Sequence, residues 1–213
     1  MWRVVVPVKG TARSKSRMNA SNELAAAIAM DTVSAALDAA SVLVVTSAEA
    51  APAFSALGVE VIRDRGEGLN SAIALGITSA GSGPVAVLLG DLPALVPEEL
   101  TSVLDQALSY PRAMVADADG RGTTLITAMP GSSLRPAFGP DSRAAHLAAG
   151  YEEITRSPTS GLRRDVDTTD QLNVLARAGR LGPNTSSVWG GHPHCFRLRG
   201  VSPGANPGRF LIS

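Results

Sequence analysis

Near the start of the sequence stands the segment VVVPVKG, residues 4–10. Its first five residues are apolar and mostly β-branched, a pattern typical of a strand buried on both faces of a parallel sheet. The segment leads into a basic loop that carries Lys9, Lys15 and Arg17, and no acidic residue occurs up to residue 20. In α/β sheets ligands bind beyond the carboxyl ends of the strands, so this loop is predicted to lie at a ligand-binding edge.

Beyond this strand, apolar runs alternate with helical stretches. Further strands are predicted at residues 42–46, 59–62, 84–89, 113–116, 123–128 and 152–155. Helices are predicted at residues 21–39, 48–57, 68–80, 97–110 and 142–149 and after residue 168. This alternation predicts an α/β fold with a mainly parallel, mixed sheet and helices on both faces. We assign residues 1–182 to one domain and expect a flexible tail at residues 183–213, where Gly, Pro, Ser and Asn are frequent.

The composition excludes several classes of protein. The 213 residues are 45% hydrophobic with one cysteine, which indicates a soluble globular protein that folds without a disulfide. The 19 Lys and Arg balance the 19 Asp and Glu, and 4% aromatic residues leave little for base stacking, so nucleic acid is not expected as a partner. Because no long apolar run and no signal peptide are visible, we expect a cytoplasmic protein without a membrane partner.

Lysine is confined to the first loop. The only two lysines of the chain are Lys9 and Lys15, whereas all other cations are arginines. A compact ammonium group binds phosphate as a point charge, so the loop is predicted to bind a polyphosphate, although two lysines left by chance in an arginine-rich chain are the alternative. Gly10 is the single glycine of the loop, which excludes the glycine-rich dinucleotide motif and the P-loop.

Two acidic motifs are predicted at the same edge of the sheet. Asp91 follows the strand at residues 84–89 through a glycine, and Asp165 and Asp167 precede the last helix. Mg²⁺ prefers oxygen ligands and is usually held by one or two carboxylates plus substrate phosphates. Asp91 alone also fits a turn before a proline, but two acidic motifs favour a divalent-metal site. His146, on a predicted helix, is assigned a structural role.

Several segments are distinctive in combination: VPVK (6–9), SKSRM (14–18), LGDLPAL (89–95), GT (122–123), FGPDS (138–142) and DVDT (165–168). Together they resemble the phosphoenolpyruvate and 2-phospho-L-lactate guanylyltransferases of deazaflavin coenzyme F-420 biosynthesis, over about residues 3–185. The resemblance implies a single Rossmann-like nucleotidyltransferase domain of the glycosyltransferase-A type. It also implies a Mg²⁺-dependent reaction in which a phosphate oxygen of the acceptor attacks the α-phosphorus of GTP and pyrophosphate leaves.

The resemblance further implies three groups of site residues. The expected metal ligands are Asp91, Asp167 and, as a neighbour or substitute, Asp165. The residues expected to bind GTP are Lys9, Lys15, Arg17 and Asn70. The residues expected to bind the acceptor are Thr123, Gly139 and Ser142. The catalytic residues among these would be Lys15, Arg17 and Asp91.

Other functions remain open at this point. The acceptor is phosphoenolpyruvate or 2-phospho-L-lactate, and the chain looks closer to the phosphoenolpyruvate branch. A related nucleotidyltransferase for a molybdopterin or sugar-phosphate acceptor would predict a glycine-rich first loop. A non-catalytic, nucleotide-binding regulatory domain would predict the loss of one acidic motif. The expected partners are GTP and the acceptor, with the next transferase of the pathway as a candidate.

Overall fold

The computed structural model of the protein describes residues 1–8 and 22–190. The expectations for Lys9, Lys15 and Arg17 therefore lie outside the described residues. The strands are β1 (Arg3–Pro7), β2 (Ser41–Thr46), β3 (Glu60–Arg63), β4 (Val85–Leu88), β5 (Arg112–Ala116), β6 (Thr123–Ala128) and β7 (Glu152–Glu153). The helices are α1 (Asn22–Ala39), α2 (Ala51–Ser55), α3 (Leu69–Ser79), α4 (Pro97–Ala107), α5 (Ser142–Ala148), α6 (Thr169–Arg177) and α7 (Pro183–Gly190), with a 3₁₀ helix at Gly161–Arg163.

The strands form one sheet in the order β3-β2-β1-β4-β6-β5-β7. β6 pairs antiparallel with both β4 and β5, and the other pairs are parallel. β5 and β6 are joined by a short hairpin, which can connect only antiparallel strands. The Asp117 carboxylate closes this hairpin by accepting the backbone N–H groups of Arg121 and Gly122, at 3.0 and 2.7 Å. The prediction of a mainly parallel, mixed sheet is confirmed.

Helices cover both faces of the sheet, as the alternation of elements predicts. In the central strand β1, Val4 and Val6 belong to the core formed with α1 and α4. Val5 points to the other face and belongs to the core formed with α3. All three valines are fully buried, because a strand covered on both faces needs apolar side chains at every position.

The ligand-binding edge of this fold lies at the carboxyl ends of β1 and β4. β1 has β2 on one side and β4 on the other, so the strand order reverses between β1 and β4. Such a reversal is the topological switch point of an α/β sheet, where ligands bind. Gly90 follows β4, and a Cβ atom there would lie 3.1 Å from the carbonyl oxygen of Pro7. The glycine thus permits the loop after β4 to lie directly against the end of β1.

The end of the described chain differs from its prediction as a flexible tail. Residues 183–190 form α7, which packs on α1 and buries Trp189 to 4% exposure. The buried carboxylate of Asp31 in α1 accepts the backbone N–H groups of Asn184 and Thr185, at 3.0 and 2.7 Å. The composition of residues 183–190 is typical of a flexible tail. The Asp31 carboxylate, which is far away in the sequence, and the buried Trp189 side chain hold these residues as a helix instead. Residues 191–213 lie outside the described residues.

No helix in the described ranges combines the length and apolar character that crossing a bilayer requires.

Candidate active site

A cleft lies at the carboxyl ends of β1 and β4, and we call it the switch-point cleft. Its cavity of ≈ 130 Å³ is lined by apolar residues, among them Val8, Ile28 and Leu69, and by the acidic residues Asp91 and Asp167. The apolar residues come from the end of β1 and from α1 and α3, whereas the acids come from two distant loops. A mostly apolar lining with a few convergent charged groups is the usual composition of a small-molecule site.

Local hydrogen bonds set the position of Asp167. The backbone N–H of Val166 donates to the carbonyl oxygen of Asp91 at 3.0 Å. The backbone N–H of Asp167 donates to Oε1 of Gln171 at 2.9 Å, and Gln171 forms a capping box with Thr168 at the start of α6. The sequence T-x-x-Q predicts this cap, and the cap holds Asp167 at the cleft.

Thr32 holds the other acidic loop in place. This fully buried residue of α1 accepts the backbone N–H of Leu92 at 3.0 Å and donates to the carbonyl oxygen of Ile28 at 3.0 Å. Asp91, the neighbour of Leu92, is thereby fixed relative to the helix that forms the cleft wall. Sequence reasoning missed Thr32, because a threonine on a buried helix face carries no signal of its partner.

Asp165 lies near the acidic pair but lines another cavity. That cavity of ≈ 230 Å³ also contains Asp119 and Arg164. Burial raises the pKa of the Asp165 carboxyl to about 7, and the negative charges of Asp91 and Asp167 act in the same direction. The three carboxylates are therefore close enough to repel one another, while Asp91 and Asp167 share the lining of the switch-point cleft.

The described residues contain no cluster of three or more His, Cys, Asp or Glu side chains arranged to hold a metal ion. Asp91 and Asp167 thus offer two oxygen-ligand side chains at one cleft rather than a complete protein cage. Mg²⁺ is commonly bound in this way, with substrate phosphates and water supplying the remaining ligands. The residues present fit such an ion.

The segment at residues 135–142, which we call the acceptor segment, contains Gly139 and Ser142. Gly139 has φ 142° and Asp141 has φ 57°, both in the region that L side chains rarely adopt. These two residues turn the chain sharply into α5. Gly139 is exposed, whereas Ser142 and Thr123 are each 2% exposed and lie beneath the surface.

Asn70 connects the acceptor segment with the cleft. Its Nδ2 donates to the carbonyl oxygen of Phe138 at 3.3 Å, and the preceding residue, Leu69, lines the cleft. The backbone N–H of Leu89, directly after β4, donates to the carbonyl oxygen of Thr124 in β6 at 2.9 Å. This bond places the end of β4 next to Thr123. The structure therefore brings Asn70, expected on the nucleoside side, into contact with the segment expected to bind the acceptor.

The sheet order and the cleft at its switch point are those of a Rossmann-like domain of the glycosyltransferase-A type. The same fold occurs in a nucleotidyl transferase from Methanothermobacter, with a TM-score of 0.60 and 20% identity over 84% of this chain and 97% of that one. A sequence model of the family described as "Guanylyl transferase CofC like" matches residues 2–155. The chain belongs to this family, and the resemblance seen in its motifs is confirmed.

Named relatives align over nearly their whole length. A phosphoenolpyruvate guanylyltransferase from Streptomyces coelicolor is 46% identical over 202 residues, covering 88% of this chain and 95% of the relative. Another protein of that name, from Thermomonospora curvata, is 41% identical over 222 residues, covering 98% and 94%. The family and fold support an enzyme of the nucleotidyltransferase class rather than a regulatory domain.

Proposed function

We propose that the protein transfers GMP from GTP to phosphoenolpyruvate, releases pyrophosphate and forms enolpyruvyl-2-diphospho-5'-guanosine for coenzyme F-420 biosynthesis. The observation that carries the proposal is the pair Asp91 and Asp167 in the switch-point cleft, in a chain whose relatives bear the name phosphoenolpyruvate guanylyltransferase. Phosphoenolpyruvate is preferred over 2-phospho-L-lactate as the acceptor because the relatives are named for it.

Asp91 and Asp167 are the proposed ligands of Mg²⁺. When bound, Mg²⁺ would offset the negative charge of the GTP phosphates and of the leaving pyrophosphate. Asp165 lies at the neighbouring cavity, and burial raises the pKa of its carboxyl to about 7, so it is proposed as a neighbour of the metal site rather than as a third ligand. Lys9, Lys15 and Arg17 of the first loop are proposed to supply further positive charge to the GTP phosphates.

The chemistry requires positioning rather than proton transfer. An oxygen of the acceptor phosphate forms a bond to the α-phosphorus of GTP, and the bond from that phosphorus to the bridging oxygen of pyrophosphate breaks. The attacking oxygen is already ionised near neutral pH, so no general base is needed. The task of the protein is to hold two polyanions in line and to stabilise the charge that develops.

The acceptor is proposed to bind at Thr123, Gly139 and Ser142, and the nucleoside near Asn70. The hydrogen bond from Asn70 to Phe138 supports this arrangement, since it joins the two sub-sites at the reaction centre. We further propose that the reaction takes place in the cytoplasm, where both substrates are available, and that the next transferase of the pathway receives the product.

A pyrophosphate-release assay with GTP and Mg²⁺ tests the proposed function. We expect the fastest release with phosphoenolpyruvate, slower release with 2-phospho-L-lactate and none with a sugar phosphate or a molybdopterin. Asp91→Asn is expected to abolish release while the circular dichroism spectrum stays unchanged, and Asp38→Asn, an exposed carboxylate change on α1, serves as the matched control. Pyrophosphate release in the absence of any three-carbon phosphate contradicts the proposal. The absence of release with both phosphoenolpyruvate and 2-phospho-L-lactate contradicts it as well.

A further inference from the structure

His146 lies fully buried in α5, beneath the acceptor segment, and contacts two parts of the proposed acceptor site. Its Nδ1 is 3.0 Å from Oγ1 of Thr123 in β6. Its Nε2 accepts the backbone N–H of Ala137 at 3.0 Å, two residues before Gly139. One side chain therefore joins the strand and the segment that are expected to bind the acceptor.

These contacts determine which ring nitrogen carries the proton. Nε2 accepts the N–H of Ala137, so it must present its lone pair. Burial lowers the pKa of the His146 imidazole to about 4, so the ring is neutral near pH 7. The single ring proton is then on Nδ1, which donates to Oγ1 of Thr123. The hydroxyl proton of Thr123 is consequently directed to a different acceptor.

Neighbouring aromatic side chains hold the ring in this orientation. Phe138 and Tyr151 contact the imidazole edge-on, with ring centroids 5.1 and 5.2 Å away. The hydroxyl oxygen of Tyr151 in turn accepts the backbone N–H of Arg135 at 2.7 Å. Two backbone N–H groups of the acceptor segment, at Arg135 and Ala137, are thus bound by two buried side chains.

We propose that His146 is a positioning residue for the acceptor, acting through its bonds to Thr123 and to Ala137. The bond to Ala137 fixes the backbone that presents Gly139. The bond to Thr123 directs the threonine hydroxyl as a donor toward a phosphate or carboxylate oxygen of the acceptor. The inference rests on the proposed function, because it takes Thr123 and Gly139 as acceptor-binding residues.

Substitutions of His146 separate the two bonds. An asparagine places an amide nitrogen near the position of Nδ1 and can keep the bond to Thr123. A glutamine places an amide oxygen near the position of Nε2 and can keep the bond to Ala137. His146→Leu keeps neither bond. Each lost bond is expected to raise the KM for phosphoenolpyruvate about tenfold, so His146→Leu raises it more than His146→Asn or His146→Gln, while the KM for GTP stays unchanged.

Leu104→Ala is the control for a general loss of stability. Leu104 is buried in α4 in the core on the opposite face of the sheet from Phe138 and Tyr151. This variant is expected to lower the melting temperature without raising the KM for phosphoenolpyruvate. A wild-type KM for phosphoenolpyruvate in His146→Leu, or an equal rise in the KM for GTP, overturns the inference. Absence of turnover in the wild type overturns the proposed function instead.

A measurement that needs no change at His146 keeps the inference testable if its variants fail to fold. The chain has three histidines, so replacing His192 and His194 by Gln leaves His146 as the single imidazole. Its ¹⁵N NMR shifts are expected to show a proton on Nδ1 and none on Nε2 from pH 6 to pH 8. A proton on Nε2 in that range overturns the inference.

Discussion

The backbone N–H of Val166 donates to the carbonyl oxygen of Asp91 over 3.0 Å, and this bond joins the two acidic loops of the switch-point cleft. The N–H of Gly182 donates to the carbonyl oxygen of Pro93 at 2.7 Å and ties the start of α7 to the same loop. Backbone bonds of this kind do not depend on rotamers, so the two loops that carry Asp91 and Asp167 are held in place by the fold itself. Fixed positions for the charged groups are what electrostatic catalysis requires.

Thr32→Val is expected to disturb this arrangement through Leu92. The change removes the acceptor of a buried N–H, which costs about 1–3 kcal/mol of unfolding free energy. Because Asp91 adjoins Leu92, kcat is also expected to fall about tenfold. Urea denaturation and steady-state kinetics measure both effects. Thr78→Val, which removes an exposed hydroxyl bonded to its own helix at Ala74, is the control and is expected to change stability by less than about 0.5 kcal/mol.

Asp167→Asn and Asp165→Asn are expected to differ in their effects. Asp167 lines the cleft with Asp91, so its loss is expected to lower kcat by at least about 100-fold and to raise the Mg²⁺ concentration for half-maximal rate. Asp165 lines the neighbouring cavity, and its loss is expected to have a smaller effect on both quantities. A metal titration of each variant measures them. If Asp165→Asn proves the more damaging change, the assignment of the pair is wrong.

Burial of His146 predicts a pH dependence of stability. The pKa of His146 is about 4 in the folded protein against 6.5 for a free imidazole, so between these values the unfolded chain binds more protons. Stability is therefore lost as the pH falls from 6.5 to 4, by about 3 kcal/mol for this residue. The difference in unfolding free energy between the wild type and His146→Gln, measured by denaturant titration, is expected to change by that amount. A difference independent of pH excludes a buried neutral ring.

Truncation tests the extent of the domain. A chain that ends at Gly182 loses α7 and the burial of Trp189, which is expected to cost about 3 kcal/mol or more. A chain that ends at Gly190 keeps both. Thermal unfolding of the two truncated chains is compared with that of the full chain, and equal melting temperatures for both truncations are inconsistent with α7 as part of the domain.

Local patterns sufficed to predict most of the fold. The valines of β1 and the glycine before Asp91 identify a buried strand and a ligand-binding edge, because both signals come from adjacent residues. α7 was missed because its start is capped by Asp31, a residue of α1 far away in the sequence. Composition describes what a segment can do alone and contains no information on a distant capping carboxylate.

The candidate site shows the same division. Asp91 and Asp167 could be named from their motifs, and the structure places both at one cleft. The separate position of Asp165 could not be predicted, since residues two apart in a loop carry no fixed orientation. The link from His146 to Thr123 and Ala137 also joins three separate elements, and only the folded chain brings them together.

The most direct measurement is the identity of the reaction product. Wild-type protein is incubated with GTP, Mg²⁺ and phosphoenolpyruvate, and the products are analysed by mass spectrometry and ³¹P NMR. We expect pyrophosphate and a guanosine diphosphate ester of enolpyruvate in equal amounts, with Asp91→Asn giving neither. Pyrophosphate without the ester contradicts the proposed transfer of GMP to phosphoenolpyruvate. Equally fast transfer of GMP to a sugar phosphate contradicts it as well.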